Sequence, residues 1–286
     1  MEKKENIFLF FLVWISMNLL SNMLVNTISE HQGMVSFQEF TQKIINGSAQ
    51  DEINLYKGLN IIVHVLTNIF SVLITVFIIY REKWSFLQLN KLPKKREFII
   101  GALLVLLSIP VVSLLYSLNY YFIPDAYISK DLLKMQGFLM DMGSYKDLIY
   151  NLLLLGIAAA IGEEVLYRGL LHRILESFQI NELLIPLLGG VIFSLMHFQL
   201  EGFLPRFYMG ALFSMLVILT GSLWISIILH LFFNSTQVLY YWIYPQNSGF
   251  IHSYGLLQII VASVSTIILF LILYNLIKRK KYEFKN

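Results

Sequence analysis

The sequence predicts an all-α, polytopic integral membrane protein, a single membrane domain over residues 1–286. Of the 286 residues, 57% are hydrophobic and only 14% are charged, whereas an ordinary soluble domain has about 45–50% apolar and about 25% charged residues. Apolar runs of about 20 residues, each long enough to cross a hydrocarbon core about 30 Å thick as a helix, recur along almost the whole chain. These runs leave no room for a separate soluble domain.

We predict about eight transmembrane helices, with boundaries uncertain by about 2–4 residues. The predicted spans are 7–28, 59–80, 98–121, 147–171, 183–199, 204–220, 223–243 and 255–277. The first run follows Lys3 and Lys4 as a signal peptide would. It is long, however, and has no small-residue cleavage site before Glu30, so we expect a retained anchor.

Basic residues beside these spans predict the topology. Loop 81–97 and the tail after residue 277 each carry a cluster of Lys and Arg. The positive-inside rule puts both clusters in the cytoplasm with Lys3 and Lys4, so we expect both termini to be cytoplasmic and the number of crossings to be even. We therefore expect a multi-pass protein of the cell membrane, in contact with lipid. The same clusters explain the net charge of +3, and we expect no nucleic-acid partner.

Two segments, residues 30–57 and 124–146, fall outside under this topology. Each contains apolar residues at helical spacing, within 37–44 and within 132–139. Each is therefore predicted to form a short amphipathic helix at the interface, as an ordered connector or as a lid over a substrate.

Cysteine is absent from the chain, which excludes disulfides, thiolate metal sites and cysteine nucleophiles. Carboxylates, imidazoles, amides and hydroxyls are the groups left for catalysis. Ionisable groups inside membrane-length apolar runs are the first candidates. Such groups are costly in hydrocarbon, so those that occur there usually have a function.

Two adjacent glutamates, Glu163 and Glu164, lie inside the fourth predicted span. Small residues over 158–162 precede them and would let a neighbouring helix approach the backbone. Arg168 follows Glu164 by four residues, a spacing that predicts a supporting ion pair on one helix face. Glu163 would point about 100° away from Glu164 and remain available for chemistry.

Two further patterns lie in later spans. Phe193 precedes His197 by one turn and would shield one side of its imidazole, while His230 and Asn234 share a face of the seventh span. If the three helices surround one cavity, Glu163 and His197 would orient and deprotonate a water. His230 and Asn234 would then stabilise the negative charge of a tetrahedral intermediate.

These patterns resemble the three-motif signature of the CPBP family of intramembrane proteases, which includes the eukaryotic CAAX-processing endopeptidase and bacterial Abi-type proteins. Residues 163–168, with the sequence EEVLYR, fit the family's EExxxR motif. Residues 193–197 fit FxxxH and residues 230–234 fit HxxxN, in the family's order and on separate predicted helices. The resemblance covers roughly residues 125–243, the predicted catalytic core.

The resemblance implies an endopeptidase that hydrolyses a peptide bond of a membrane-associated protein or peptide. Glu163 and His197 would activate water, and His230 and Asn234 would form the oxyanion site. The family is named for metalloproteases, yet its members have also been viewed as glutamate-dependent hydrolases that use no metal, and both mechanisms stay open here. A divalent metal such as zinc could be held by Glu163, His197 and His230, because two imidazoles, one carboxylate and a water form a catalytic zinc set.

Two other classes of function stay open. An ion-coupled transporter is one, since intramembrane carboxylates and histidines also serve in proton relays, although the sequence shows no two related halves with broken helices. The other is a non-hydrolytic immunity or regulatory protein of the same fold, which would sequester a toxic peptide such as a bacteriocin.

The remaining polar residues inside the spans are predicted to hold helices together. His64 is expected to pack against a neighbouring helix. Asn18, Asn22 and Asn26 form a stripe at four-residue spacing in the first span. This stripe would line a polar route or, as we favour, hydrogen-bond to another helix. The sequence specifies no oligomeric state.

Overall fold

The structure, a computed structural model, describes residues 3–31, 33, 36–47, 49–80, 82–124, 128, 130–245 and 256–283. Within these ranges the chain folds into helices joined by turns, as the all-α prediction requires. Residue 81 of the predicted basic loop lies outside the described residues. The helices are α1 (Lys3–His31), α2 (Phe37–Ile45), α3 (Gln50–Ile79), α4 (Lys83–Phe86), α5 (Lys95–Phe122), α6 (Lys130–Met140), α7 (Tyr145–Ser177), α8 (Ile185–Leu195), α9 (Leu200–Thr220), α10 (Leu223–Ile243) and α11 (Leu256–Glu283).

Among the described residues, seven helices are long and apolar enough to cross a membrane, namely α1, α3, α5, α7, α9, α10 and α11. The prediction of a polytopic membrane helix bundle is confirmed, with seven such helices described where about eight were expected. The predicted span 183–199 contains only the 11 residues of α8, about 16 Å of helix, or half the hydrocarbon thickness.

The end of α8 explains this difference. The chain leaves the helix after Leu195, and Phe198 adopts a left-handed backbone with φ of 52°. The apolar sequence continues past this point, so hydropathy alone could not locate the end of the helix. An even number of crossings depended on this span, and a cytoplasmic position for both termini stays a prediction.

The described chain divides into two compact units. Unit 1 consists of Met1–Leu87, Ser129–Ser177 and His230–Ser248, and unit 2 consists of Gln88–Ile128, Phe178–Leu229 and Gly249–Asn286. A single membrane domain over residues 1–286 stays a prediction.

In unit 1, the predicted amphipathic helices are present as α2 and α6. Their apolar residues pack together with α1 and α3, which explains why these short helices are stable. Ser36 caps α2 by accepting a hydrogen bond from the Glu39 backbone N–H at 3.1 Å. The buried core of this region consists of Val25, Phe40, Ile44, Ile53, Tyr56 and Leu59.

Polar side chains fix the first turn of α7 to α3. Asn54 of α3 donates to the Asp147 carboxylate at 2.5 Å, and the Ser144 hydroxyl and backbone N–H both donate to the same carboxylate at 2.9 Å. Ser144 and Asp147 thus form a capping box at the start of α7. Lys57 is fully buried in the same region and interacts electrostatically with Asp147.

In unit 2, α8 packs directly on α9. A Cβ atom at Gly190 of α8 would lie 2.6 Å from the Phe207 carbonyl oxygen, so a glycine is required for this close approach. Asn119 of α5 holds the start of α9 by donating to the Leu200 carbonyl at 2.7 Å and accepting from the Leu204 N–H at 2.8 Å. These contacts position the turn after α8.

Candidate active site

The backbone of α7 changes its helical type around the two glutamates. Ala159–Glu164 is regular α-helix, whereas Leu152–Ala158 and Val165–Leu171 on either side are π-helical. Such π-helical turns are rare and occur frequently at functional sites. The sequence analysis assumed an uninterrupted α-helix, and no sequence pattern identifies these segments.

The buried centre of the site is the Glu164 carboxylate. Its Oε1 atom accepts hydrogen bonds from Arg168 Nη1 at 2.8 Å and from His230 Nδ1 at 2.7 Å. The side chains of Glu164, Arg168 and His230 are 0%, 1% and 7% exposed. The predicted ion pair between Glu164 and Arg168 is confirmed. The contact between Glu164 and His230, which joins the first and third motifs, was not predicted.

This contact determines the hydrogen-bonding state of His230. The Arg168-bound carboxylate can only accept, so His230 donates from Nδ1 and directs Nε2 towards Glu163. The distance from His230 Nε2 to Glu163 Oε2 is 3.9 Å, which is too long for a direct hydrogen bond but allows both atoms to contact one water. The Glu163 side chain is 13% exposed, so the second carboxylate is accessible where Glu164 is not.

Asn234 connects α10 to the backbone of α7. Its amide donates to the Leu155 carbonyl oxygen at 2.8 Å, which a carbonyl with two lone pairs can accept in addition to a helical bond. One residue along α7, a Cβ atom at Gly156 would lie 2.8 Å from Ser235 Oγ. The two helices are therefore in close contact here, and one amide N–H of Asn234 is used for packing. Its role in an oxyanion site stays a prediction.

A second imidazole–carboxamide pair lies on α3, beside the acidic pair. His64 Nδ1 and Asn68 Nδ2 are 3.2 Å apart, and a Cβ atom at Gly162 would lie 3.1 Å from Asn68 Cβ. The predicted close approach at the small residues of α7 is thus confirmed, with α3 as the neighbour. Sequence analysis treated His64 as a packing residue. The HxxxN spacing of His64 and Asn68, the same as that of the third motif, was the pattern that could have drawn attention to them.

His197 lies in the turn after α8, so its predicted position within a helical span is wrong. Its Nδ1 atom is 2.7 Å from the Phe193 carbonyl oxygen, and the two rings meet edge to face with centroids 4.8 Å apart. The carbonyl can only accept, so Nδ1 donates and Nε2 is the accepting nitrogen. The predicted contact with Phe193 is confirmed. His197 belongs to unit 2, and its convergence with Glu163 in one cavity stays a prediction.

Comparison with known proteins gives a family match over this region. Residues 145–236, about a third of the chain, match the family model described as Type II CAAX prenyl endopeptidase Rce1-like. All three motifs lie within the match. This match supports a CPBP/CAAX protease family assignment. The family implies a CAAX-type intramembrane endopeptidase in general, and the matched range lies inside the predicted core 125–243. Comparison with curated proteins and with solved structures gave no significant match.

Whether this site could hold a metal depends on the arrangement of its possible ligands. Within the described ranges, no group of three or more His, Asp or Glu side chains is placed to hold a metal ion. His230 also uses Nδ1 to bind Glu164. This leaves Nε2 as the His230 nitrogen that could bind a metal together with Glu163 and His197, and we derive no catalytic step through a metal. Zinc binding by this set stays a prediction.

Unit 1 also contains a cavity of about 300 Å³ away from these residues. It includes Tyr241, which follows His230 by 11 residues on α10, a separation of about 16 Å along the helix. This cavity is therefore distinct from the buried cluster around Glu164. Its lining residues are Lys134, Gly137, Phe138, Met140, Asp141, Tyr241 and Pro245.

Proposed function

We propose that this protein is an intramembrane endopeptidase in which Glu163 activates the hydrolytic water. The observation that carries the proposal is the difference between the two glutamates. Glu164 is fully buried and bound by Arg168 and His230, whereas the neighbouring Glu163 is partly accessible and faces His230 Nε2 across 3.9 Å. One carboxylate thus organises the site, and the other is placed to act on a water.

The reaction is a hydrolysis with Glu163 as general base. Glu163 takes a proton from water, the water oxygen forms a bond to the scissile carbonyl carbon, and the carbonyl oxygen becomes an oxyanion. The carbon–nitrogen bond then breaks, and the proton passes to the leaving amine. His197 supports this step, because donation from Nδ1 to Phe193 leaves Nε2 as the nitrogen that accepts a proton.

We assign the oxyanion to His230 and Asn234. His230 already donates Nδ1–H to Glu164, so its Nε2 faces Glu163 and donates to an oxyanion when the imidazole is doubly protonated. The Asn234 amide has two N–H groups, of which one donates to Leu155 and the other is left for the substrate. Donors aimed at the developing charge are a large source of rate enhancement in acyl transfer.

Glu164 and Arg168 are positioning residues in this proposal. Their ion pair balances the two charges, and Glu164 holds the His230 ring through Nδ1. Neither side chain is accessible to a substrate, because both are almost completely buried.

We propose the cell membrane as the location and a membrane-associated peptide or protein as the substrate. The basic loop 81–97 supports a cytoplasmic position for the adjoining helix ends. Candidate substrates are peptide pheromone precursors, bacteriocins, membrane regulators and, following the family description, prenylated CAAX peptides.

The test is hydrolysis by purified protein reconstituted into lipid vesicles. The probes are a farnesylated CAAX peptide, its unprenylated counterpart and a library of unmodified membrane peptides, with products identified by mass spectrometry in H₂¹⁸O. We expect one ¹⁸O atom in the new carboxylate, and a loss of about 10²–10⁴-fold in rate for Glu163→Gln and for His197→Ala. The matched control is Glu182→Gln, an exposed glutamate in a turn. Full activity of either site variant would overturn the assignment.

A further inference from the structure

Helix α1 has a buried face and, opposite to it, an exposed face. One face carries Phe10, Ser21 and Val25, which are buried against the rest of unit 1. On the opposite, exposed face, successive residues are separated alternately by four and by three positions. This is the spacing of the contact residues in a left-handed coiled pair of helices. The exposed face consists of Phe8, Leu12, Ile15, Leu19 and Asn22.

Asn22 is the unusual member of this exposed face. The apolar part of α1 is Ile7–His31, and Asn22 lies about 4–5 Å from its midpoint along the helix axis. Among the described residues, Ser16, Asn18 and Thr27 donate to carbonyls one turn earlier in α1, and Asn22 makes no such bond. A carboxamide without a partner is costly in hydrocarbon, whereas leucines on the same face are not.

We propose that this face pairs with the same face of a second copy of the chain, in parallel, with Asn22 hydrogen-bonded to its counterpart. A carboxamide is both donor and acceptor, so two Asn22 side chains related by a two-fold axis satisfy each other. We call this exposed face the seam. In a parallel helix pair, a single asparagine within the apolar contact face determines the alignment of the helices and how many associate. Beyond Asn22 this face is no longer exposed, because Asn26, the next position of the repeat, is half-buried and Ser29, the position after it, is buried.

The experiment uses the absence of cysteine from the chain, so that one introduced cysteine is the only thiol. Leu19→Cys lies on the seam and Leu20→Cys is its control. The leucines are 61% and 50% exposed, at nearly the same depth but about 100° apart around the helix. In pure phospholipid vesicles, we expect oxidation to give several-fold more disulfide-linked dimer with Leu19→Cys.

Asn22 is then replaced in the Leu19→Cys background. We expect Asn22→Leu to weaken dimerisation by about 3–30-fold, the range measured for hydrogen bonds between membrane helices, and Asn22→Gln to retain it. Single-molecule photobleaching of the wild-type chain with one fluorophore, at high lipid dilution, provides a measurement without any substitution in the seam. We expect two-step traces.

Equal cross-linking of the two cysteine variants, single-step traces of the wild type, or unchanged dimerisation of Asn22→Leu would each overturn the proposal. An adduct with a different protein in native membranes, from a chain that is monomeric when purified, would also overturn it. None of these measurements uses proteolysis, so the outcome is independent of the proposed function.

Discussion

Gly162 lies directly against Asn68, so that a Cβ atom at position 162 would be 3.1 Å from the Asn68 Cβ. The backbones of α7 and α3 therefore approach closely at the residue that precedes Glu163. This contact gives a specific role to the small residues in front of the acidic pair. They allow α3, which carries His64 and Asn68, to pack against the turn of α7 that contains Glu163.

Substitution of Gly162 tests this contact. We expect Gly162→Leu to lower both the unfolding midpoint and the cleavage rate strongly. Overpacking in a tight contact lowers the free energy of unfolding by about 1–3 kcal/mol. Gly162→Ala should have a smaller effect in the same direction. The measurement is thermal unfolding in detergent together with the cleavage rate.

Gly137 of α6 provides the control, because a Cβ atom there meets nothing within 4 Å. Gly137→Ala should leave stability unchanged or raise it by about 0.5–1 kcal/mol through the higher helix propensity of alanine. If Gly162→Ala and Gly162→Leu were tolerated as well as Gly137→Ala, the close contact at Gly162 would not be present.

The buried ion pair leads to a second prediction. Arg168→Met leaves the Glu164 charge buried with less compensation, and breaking such a pair costs about 3–5 kcal/mol. The double variant Glu164→Gln/Arg168→Met removes both charges, so we expect it to be more stable than Arg168→Met alone. Chemical unfolding of the wild type, Glu164→Gln, Arg168→Met and the double variant measures this coupling, and strictly additive effects would contradict it.

Activity should not follow stability in this double variant. His230 donates from Nδ1 to Glu164, and an amide at position 164 holds the ring less firmly than a carboxylate. We therefore expect cleavage to stay low in the double variant although its stability recovers. Recovery of cleavage together with stability would show that Glu164 serves only the fold.

Contacts between residues that are close in the sequence could be predicted, whereas contacts between distant residues could not. Glu164 and Arg168 are four residues apart on one helix, so spacing alone predicted their ion pair. His230 is 66 residues from Glu164, and no local pattern specifies which nitrogen meets which oxygen. The helical membrane class was predictable because apolar composition is a property of whole segments.

Other features depended on information that hydropathy does not contain. The span 183–199 was predicted too long because Met196 and Phe198 are apolar, whereas the backbone already turns there. The residues of the π-helical segments around Glu163 have no distinctive composition that would have predicted them. The pair of His64 and Asn68 was visible as a spacing, but its position beside Gly162 required the fold.

Asn234 leads to a third prediction, based on the direction of its hydrogen bond. Its amide donates to the Leu155 carbonyl oxygen at 2.8 Å. Asn234→Asp would place an acceptor against that carbonyl, so we expect a larger loss of stability than for Asn234→Ala, which loses about 1 kcal/mol with the hydrogen bond. Equal unfolding midpoints for the two variants would show that this bond is not made.

The last prediction concerns the His64 and Asn68 pair. Asn68 donates to His64 Nδ1, which leaves Nε2 as the protonated nitrogen of the neutral imidazole. Asn68→Leu keeps the size of the side chain but releases the ring, and we expect cleavage to fall by about 5–10-fold, equivalent to one ordinary hydrogen bond. Asn60→Leu is the matched control, because the Asn60 amide, also half-buried on α3, donates to the Tyr56 backbone carbonyl at 2.9 Å within its own helix.

Nitrogen-15 NMR of histidine-labelled protein gives a readout that does not depend on activity. It should show His64 protonated at Nε2 in the wild type and in Asn60→Leu, and a mixture of tautomers in Asn68→Leu. The same tautomer population in all three proteins would show that Asn68 does not orient this imidazole, and the pair would then act in helix packing alone.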